Sequence, residues 1–179
     1  MNSMKSSLIT IITISAFGLL AACNKAPESG DSTAEKTSTN AAPAAEAPDP
    51  SLPEKKVEIT GNDQMKFDVV AIEAKPGQKV TVTLKNAGTM PKLSMGHNFV
   101  LLTQDQDPAK FVEASQTSMG TEFIGPDVKN KVIAHTKLLG PGESDTISFA
   151  APRRAGTYTY ICSFPGHLAI GMKGVLTVQ

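Results

Sequence analysis

From residue 54 onward, short segments of alternating apolar and polar residues are separated by turn residues, and this pattern restricts the fold more than any other feature. In residues 79–85 the valines and Leu84 fall on one face of an extended chain, which is typical of a half-buried β-strand. Glycine, proline and asparagine separate this segment from its neighbours. Comparable segments lie at 57–60, 65–72, 97–103, 131–136, 145–149, 156–162 and 174–178.

About eight short strands with frequent turns predict an all-β fold, a Greek-key β-sandwich or barrel over residues 54–179. Asp107 followed by Pro108 is typical of a helix start, so we expect one short helical insertion among the strands. No glycine-rich phosphate loop, nucleophile elbow or catalytic acid pair is evident. Lysine plus arginine equals aspartate plus glutamate, 17 against 17, so the basic excess of a nucleic-acid binder is missing.

The N-terminus has the order of a bacterial secretion signal. Lys5 precedes an apolar run at 8–20, which is short for a membrane-spanning helix, and small residues follow it. The sequence Leu-Ala-Ala-Cys that ends at Cys23 resembles the lipobox of bacterial lipoproteins, in which the chain is cut before the cysteine and the cysteine is acylated. We therefore predict a signal peptide at 1–22 and an anchor at Cys23, lipidated with chains such as palmitate and facing the periplasm. An ordinary signal peptide with an unmodified cysteine is the alternative.

Residues 23–53 are predicted to be the lipidated cysteine and a disordered tether. Residues 24–53 contain no aromatic residue and one large aliphatic residue, Leu52, so they bury too little apolar area to offset the entropy of ordering. As a coil they would span about 30 Å, and about 90 Å if extended. Asn24 follows the cysteine where an aspartate would have resembled an inner-membrane retention signal, which favours the outer membrane.

Three side chains that can bind a metal recur at five-residue spacing near the C-terminus. Cys162, His167 and Met172 lie between the last two predicted strands, where one loop can bring a thiol, an imidazole and a thioether to one point. His97 is the candidate fourth donor because it opens a predicted strand. The chain has only three histidines and two cysteines, and one of those cysteines is assigned to the anchor.

Two imidazoles, a thiolate and a weak thioether are the ligand set of a blue-copper electron-transfer site. The thiolate binds copper strongly, the imidazoles suit both oxidation states, and the distant thioether suits Cu(I) and helps to set the reduction potential. Zinc is the main alternative because it also accepts histidine and thiolate, but methionine is a poor zinc ligand. Each of these residues alone would more often be structural, so the combination carries the prediction.

The segments around these donors resemble the azurin and auracyanin group of small blue copper proteins, the cupredoxins, over about residues 57–179. The similar segments are Met95-Gly96-His97-Asn98-Phe99-Val100-Leu101, Val132-Ile133-Ala134-His135-Thr136-Lys137-Leu138 and residues 162–174. The resemblance implies one type-1 copper with Cys162, His97 and His167 as equatorial ligands and Met172 as the axial ligand. It further implies that the carbonyl of Gly96 approaches the metal.

Two further residues receive roles from the resemblance, and two features depart from it. Asn98 would tie the two ligand segments together, and His135 would not be a ligand. Azurins have a disulfide near the start of the domain, and both of its cysteines are missing here. Azurins also place three residues between the second histidine and the methionine, whereas four separate His167 from Met172, as in plastocyanins and auracyanins. This longer loop leaves the role of Gly96 open.

The resemblance implies an electron carrier that docks through an apolar patch around an exposed edge of His167. The patch would comprise Met90, Pro91, Met95, Pro165, Leu168 and Ala169. A small apolar face suits brief encounters with redox partners such as c-type cytochromes, oxidases, or copper or haem reductases. We expect a negative charge at Leu168 to slow transfer while leaving the copper spectrum intact, and we interpret Phe164 and Ile170 as core candidates.

Three other functions compete with this one. The chain could be a copper-binding or copper-buffering lipoprotein, or a surface-interaction lipoprotein, without a redox partner in either case. The sequence has no methionine- or histidine-rich tract, which disfavours storage. A copper enzyme is disfavoured because four protein ligands leave no open position for a substrate.

Overall fold

The strands form two β-sheets. Apolar and polar residues alternate along most strands, and the apolar faces of the two sheets pack against each other. A computed structural model describes residues 46–179. The predicted signal peptide, Cys23 and residues 24–45 of the predicted tether lie outside the described residues.

One sheet has three strands, β1 (Lys55–Gly61), β3 (Lys79–Asn86) and β6 (Ser144–Ala150), in the order β1-β3-β6. The other has five strands in the order β2-β8-β7-β4-β5. Their bounds are β2 (Ala71–Ala74), β4 (Val100–Leu102), β5 (Val132–His135), β7 (Gly156–Ile161) and β8 (Lys173–Val178). Strand β1 runs parallel to β3 and β2 runs parallel to β8, whereas the other pairs are antiparallel. The predicted all-β class with eight strands is confirmed.

Helical structure is short and lies between strands. The predicted insertion is α2 (Pro108–Ser115), and the carboxylate of Asp107 caps it by accepting a hydrogen bond from the Ala109 N–H at 2.8 Å. Single-turn helices α1 (Lys92–Met95) and α3 (His167–Ile170) and two 3-10 segments, Met119–Thr121 and Pro126–Lys131, complete the structure. Within residues 46–179, no helix has the length and apolar character needed to cross a membrane.

The main core fills the space between the two sheets. Large buried side chains in it include Ile59, Leu84, Phe99, Tyr160 and Leu176. Ile59 and Leu84 come from strands of one sheet, and Tyr160 and Leu176 come from strands of the other, so burial of their apolar surface holds the sheets together.

A second apolar cluster covers the outer face of the five-stranded sheet. There Phe111 of α2 and Ile124 join Val100, Leu102 and Ile161. Both faces of β4 are therefore covered, which explains why its residues form a continuous apolar run instead of an alternating one.

Two predicted strands are shorter than expected. In the first, predicted at 65–72, only residues from Ala71 onward form a strand, and Phe67 makes only an isolated bridge to Gly61. In the second, predicted at 97–103, the strand begins at Val100, and His97 makes only an isolated bridge to Leu139. The first segment starts at Met65, whose φ of 54° lies in the left-handed region and outside the range of a β-strand. The alternation of apolar and polar residues does not show where the chain leaves the sheet.

The ordered region begins earlier than residue 54. The Asp49 N–H donates to the Gly77 carbonyl at 2.8 Å, and the Gln78 side chain donates to the Pro53 carbonyl at 2.8 Å. Hydrogen bonds thus tie residues 49 and 53 of the predicted tether to the turn that precedes β3. Composition alone does not reveal such hydrogen bonds.

Candidate metal centre

Three of the four predicted metal donors converge at one end of the sandwich. His97, Cys162 and His167 each offer a ligand atom within 4.8 Å of the others. The Nδ1 of His167 lies 3.3 Å from the Cys162 Sγ and 3.3 Å from the Nδ1 of His97. All three side chains are buried. A metal ion that bonds nitrogen and sulfur at about 2.0–2.3 Å fits between these atoms.

The C-terminal loop gathers its donors through its own backbone hydrogen bonds. Cys162 directly follows β7, and its N–H donates to the Met172 carbonyl at 3.1 Å. The Met172 N–H in turn donates to the His167 carbonyl at 3.0 Å. The residues between His167 and Met172 form the single turn of α3, which Gly171 closes with a φ of 94°. The four-residue spacing is thus accommodated as one helical turn, and Met172 is fully buried beside the other donors.

His97 comes from a different part of the chain and is held by the segment that precedes β6. Its N–H donates to the Leu139 carbonyl at 3.1 Å, and the Leu139 N–H donates back to the His97 carbonyl at 2.8 Å. The carbonyl of Gly96, one residue earlier, lies 3.9 Å from the Cys162 Sγ. Gly96 therefore faces the thiol, and its approach to a metal stays a prediction.

Asn98 connects the two ligand segments. Its side-chain oxygen accepts a hydrogen bond from the Ser163 N–H at 2.9 Å, and its Nδ2 donates to the Ser163 hydroxyl at 2.9 Å. The same Nδ2 donates to the Glu122 carbonyl at 2.7 Å. Since Asn98 follows His97 and Ser163 follows Cys162, these bonds fix the separation of the two donors.

The sequence alone does not point to Glu122 and Ser163, which bind Asn98, or to Gly61, which ends β1 against the His97 and Met172 side chains. Glu122 lies in an irregular segment with a φ of 59° and offers both its carbonyl to Asn98 and its carboxylate to the Leu138 N–H. Neither residue spacing nor composition identifies Glu122 as part of the site. Ser163 and Gly61 adjoin recognisable features, the cysteine and a strand end, but their contacts depend on the tertiary structure.

Comparison with known proteins agrees with this geometry. The family model of copper binding proteins, the plastocyanin/azurin family, matches residues 53–179. The chain belongs to the plastocyanin/azurin family. With the grouping of His97, Cys162 and His167, this membership identifies one type-1 copper ion as the cofactor.

Relatives of this cupredoxin include azurins from two bacteria. The azurin of Pseudomonas aeruginosa is 40% identical over 126 residues, covering 69% of this chain and 84% of the relative. The azurin of Bordetella pertussis is 42% identical over 123 residues, covering 67% of this chain and 81% of the relative.

Solved structures show the same similarity. Dithionite-reduced auracyanin from Roseiflexus castenholzii has a TM-score of 0.62 at 38% identity, covering 70% of this chain and 97% of that one. An azurin from Methylomonas sp. strain J has a TM-score of 0.62 at 30% identity, covering 70% and 98%.

Burial controls the protonation of the donors in this cupredoxin. Burial lowers the pKa of His167 to about 4, with a smaller contribution from the neighbouring His97. Burial likewise lowers the pKa of His97, partly opposed by the backbone of Asn62 and the carboxylate of Asp63. Both imidazoles are therefore neutral near pH 7, with lone pairs available to a metal.

The thiol responds to burial in the opposite direction. Burial raises the pKa of Cys162 to about 12, although backbone groups of Asn98 and Phe164 lower it. Without a metal the thiol therefore stays protonated near pH 7. A metal that takes the thiolate must displace this proton, so binding is coupled to proton release.

The predicted docking residues differ in exposure. Met90, Pro91, Pro165 and Ala169 are exposed, whereas Met95 and Leu168 are half-buried. Leu168 packs against the outer apolar cluster under α2. Of the two core candidates, Phe164 is buried, but Ile170 is 50% exposed, and so the core interpretation of Ile170 is wrong.

The imidazole of His167 is less accessible than the resemblance implies. His167 is only 2% exposed, because the ring of Phe164 lies 4.6 Å from its ring and the ring of His97 lies 5.0 Å from it. The expected exposed edge is therefore reduced to a small part of the ring.

The lowered histidine pKa values predict acid sensitivity of the copper-free protein. Between about pH 6.5 and pH 4 the unfolded chain binds protons that the folded protein excludes from His167. The free energy of unfolding should therefore fall as the pH is lowered through this range, as measured by urea titration of the copper-free protein. A His167→Asn variant should show a weaker pH dependence, and an equal dependence in both proteins would contradict the assignment.

Proposed function

We propose that this cupredoxin is a lipid-anchored, periplasm-facing carrier that passes single electrons between redox proteins. The buried cluster of His97, Cys162 and His167 in a plastocyanin/azurin fold supports this function most directly. The copper ion, when bound, supplies a one-electron couple between Cu(II) and Cu(I).

The donor set suits such a couple. Cys162 would supply the thiolate, and His97 and His167 would supply neutral nitrogens that both oxidation states accept. Met172, fully buried at the base of β8, would supply a weak axial thioether, and the Gly96 carbonyl faces the same centre. Soft and borderline donors together keep the two oxidation states close in energy.

An electron carrier also needs a rigid copper site, and the hydrogen bonds of Asn98 provide this rigidity. They hold the His97 and Cys162 segments at a set separation, so the donors need to move little when the charge of the metal changes. The donors are buried, which keeps water and small substrates away from the centre. These features support a carrier over an enzyme or a copper store.

The docking surface proposed for partners lies around α1 and α3. Leu93 is 72% exposed and Met90 is 44% exposed, and both belong to the segment that leads to His97. Ile170 lies at the end of α3, the helix that begins at His167. An apolar face next to two of the donors suits short-lived contact with c-type cytochromes, oxidases, or copper or haem reductases.

Removal of the thiolate tests the copper site. In a copper-loaded Cys162→Ser protein, the intense visible thiolate-to-copper band should disappear, because the sulfur donor of that transition is lost. A Cys23→Ser protein, which changes the only other cysteine, should keep the band. Persistence of the band in Cys162→Ser would contradict the ligand assignment.

A charge on the apolar face tests the docking surface. Ile170→Asp should slow electron transfer to a c-type cytochrome by about tenfold, which corresponds to about 1.4 kcal/mol of lost docking energy. The copper spectrum should not change. Ile170 is a better site than Leu168, because a charge at the half-buried Leu168 would also destabilise the outer cluster.

The matched control is Ala155→Asp, an exposed position next to the start of β7, at the opposite end of that strand from Cys162. It should transfer electrons at the wild-type rate. Equal rates for Ile170→Asp and the wild type would remove α3 from the docking surface. Failure of every redox protein to exchange electrons with the wild type would favour the copper-buffering or surface-interaction alternative.

Lipid anchoring at Cys23 can be tested in cells. Full-length protein should incorporate labelled palmitate and sediment with membranes, with the outer membrane preferred. Cys23→Ser should lose the label, because its hydroxyl cannot carry the thioether-linked lipid. Cys162→Ser should keep it. Equal labelling of Cys23→Ser and the wild type would contradict the anchor while leaving the copper site unaffected.

A further inference from the structure

Gly61 ends β1 directly against two of the proposed copper ligands. A Cβ at this position would lie 2.9 Å from the Met172 Cε, 3.0 Å from the His97 Cδ2 and 3.3 Å from the His97 Cγ. A methyl group at these distances is tighter than normal carbon contacts allow, since such contacts are most favourable at about 3.5–4.0 Å.

The backbone of Gly61 has little freedom to retreat. It pairs with Asn86 of β3, and its carbonyl accepts a hydrogen bond from the Ala87 N–H at 2.9 Å. An isolated bridge to Phe67 holds it from the other side. Its φ lies outside the left-handed region, so the position needs glycine for space rather than for backbone conformation.

We propose that Gly61 is a positioning residue whose missing side chain sets how closely the Met172 thioether and the His97 imidazole approach the copper. The inference rests on the proposed roles of His97 and Met172 as ligands. It assigns the fine adjustment of the site to β1, a strand that contributes no ligand.

An added methyl group at residue 61 would enter between the His97 ring and the Met172 methyl. The His97 backbone is held by two hydrogen bonds to Leu139, and its imidazole would bind copper strongly, whereas a thioether would bind copper only weakly. The thioether should therefore yield first. Because Met172 is fully buried, its displacement would change its distance or angle to the metal.

The experiment compares Gly61→Ala with Gly120→Ala in the full chain. A Cβ at Gly120 would meet nothing within 4 Å, so this variant adds the same methyl group in open space. The readouts are the visible spectrum, the reduction potential, and the melting temperature with and without copper. Gly61→Ala should shift the reduction potential, because the axial donor helps to set it, and should alter the thiolate-to-copper absorption.

The melting temperatures separate positioning from simple packing. Without copper, Met172 and His97 are free to adjust, so the rise in melting temperature on copper binding should be smaller in Gly61→Ala than in the wild type. A packing role alone would lower both melting temperatures equally and leave this rise unchanged. Gly120→Ala should match the wild type in every readout.

A double variant identifies which ligand yields. Leucine at 172 lacks the terminal methyl group, so Gly61→Ala should shift the potential less in a Met172→Leu background than in the wild type. A wild-type spectrum and potential in Gly61→Ala would overturn the inference and leave the copper site intact. Equal shifts in both backgrounds would overturn the role assigned to Met172. A wild-type protein without a thiolate-to-copper band would instead overturn the proposed function.

Discussion

The hydrogen bonds between Asn98 and Ser163 are the interaction on which the rest of the site depends. They join segments that are 65 residues apart in the sequence and each adjacent to a copper donor. The bonds are buried, so loss of either partner would leave unpaired polar groups, at a cost of about 1–3 kcal/mol. The sandwich keeps water away from this network, and the network fixes the separation of His97 and Cys162. The fold and the site thus support each other.

Much of the fold and most of the donors are recoverable from local sequence. Period-two alternation predicts β3 and its neighbours because each strand has one face on the core. Cys162, His167 and Met172 are recognisable because all of them lie in one loop. His97 is identifiable because it opens a predicted strand in a chain that contains only three histidines. The helix at α2 is predictable because Asp107 and Pro108 signal its start locally.

Other features depend on contacts that no local pattern records. Gly61 meets His97 and Met172 only after two sheets have packed, and Glu122 reaches Asn98 from an irregular loop. Exposure within α3 is similarly non-local. Leu168 and Ile170 are both aliphatic, yet α2 covers the surface under Leu168 and leaves Ile170 outside. The hydrogen bonds that hold Asp49 and Pro53 against residues 77 and 78 likewise depend on the folded structure.

The direction of β1 has a consequence for how the protein searches for partners. This strand begins near the start of the described chain and ends, six residues later, beside the proposed copper ligands His97 and Met172. At about 3.3 Å per residue, the metal end is roughly 20 Å from the end at which a tether would enter. If Cys23 is anchored as proposed, the attachment does not obstruct the electron-transfer face. Redox partners on the same bilayer would then meet the protein by lateral diffusion. Confinement to a thin layer raises their effective concentration, so encounters are frequent without electrostatic attraction.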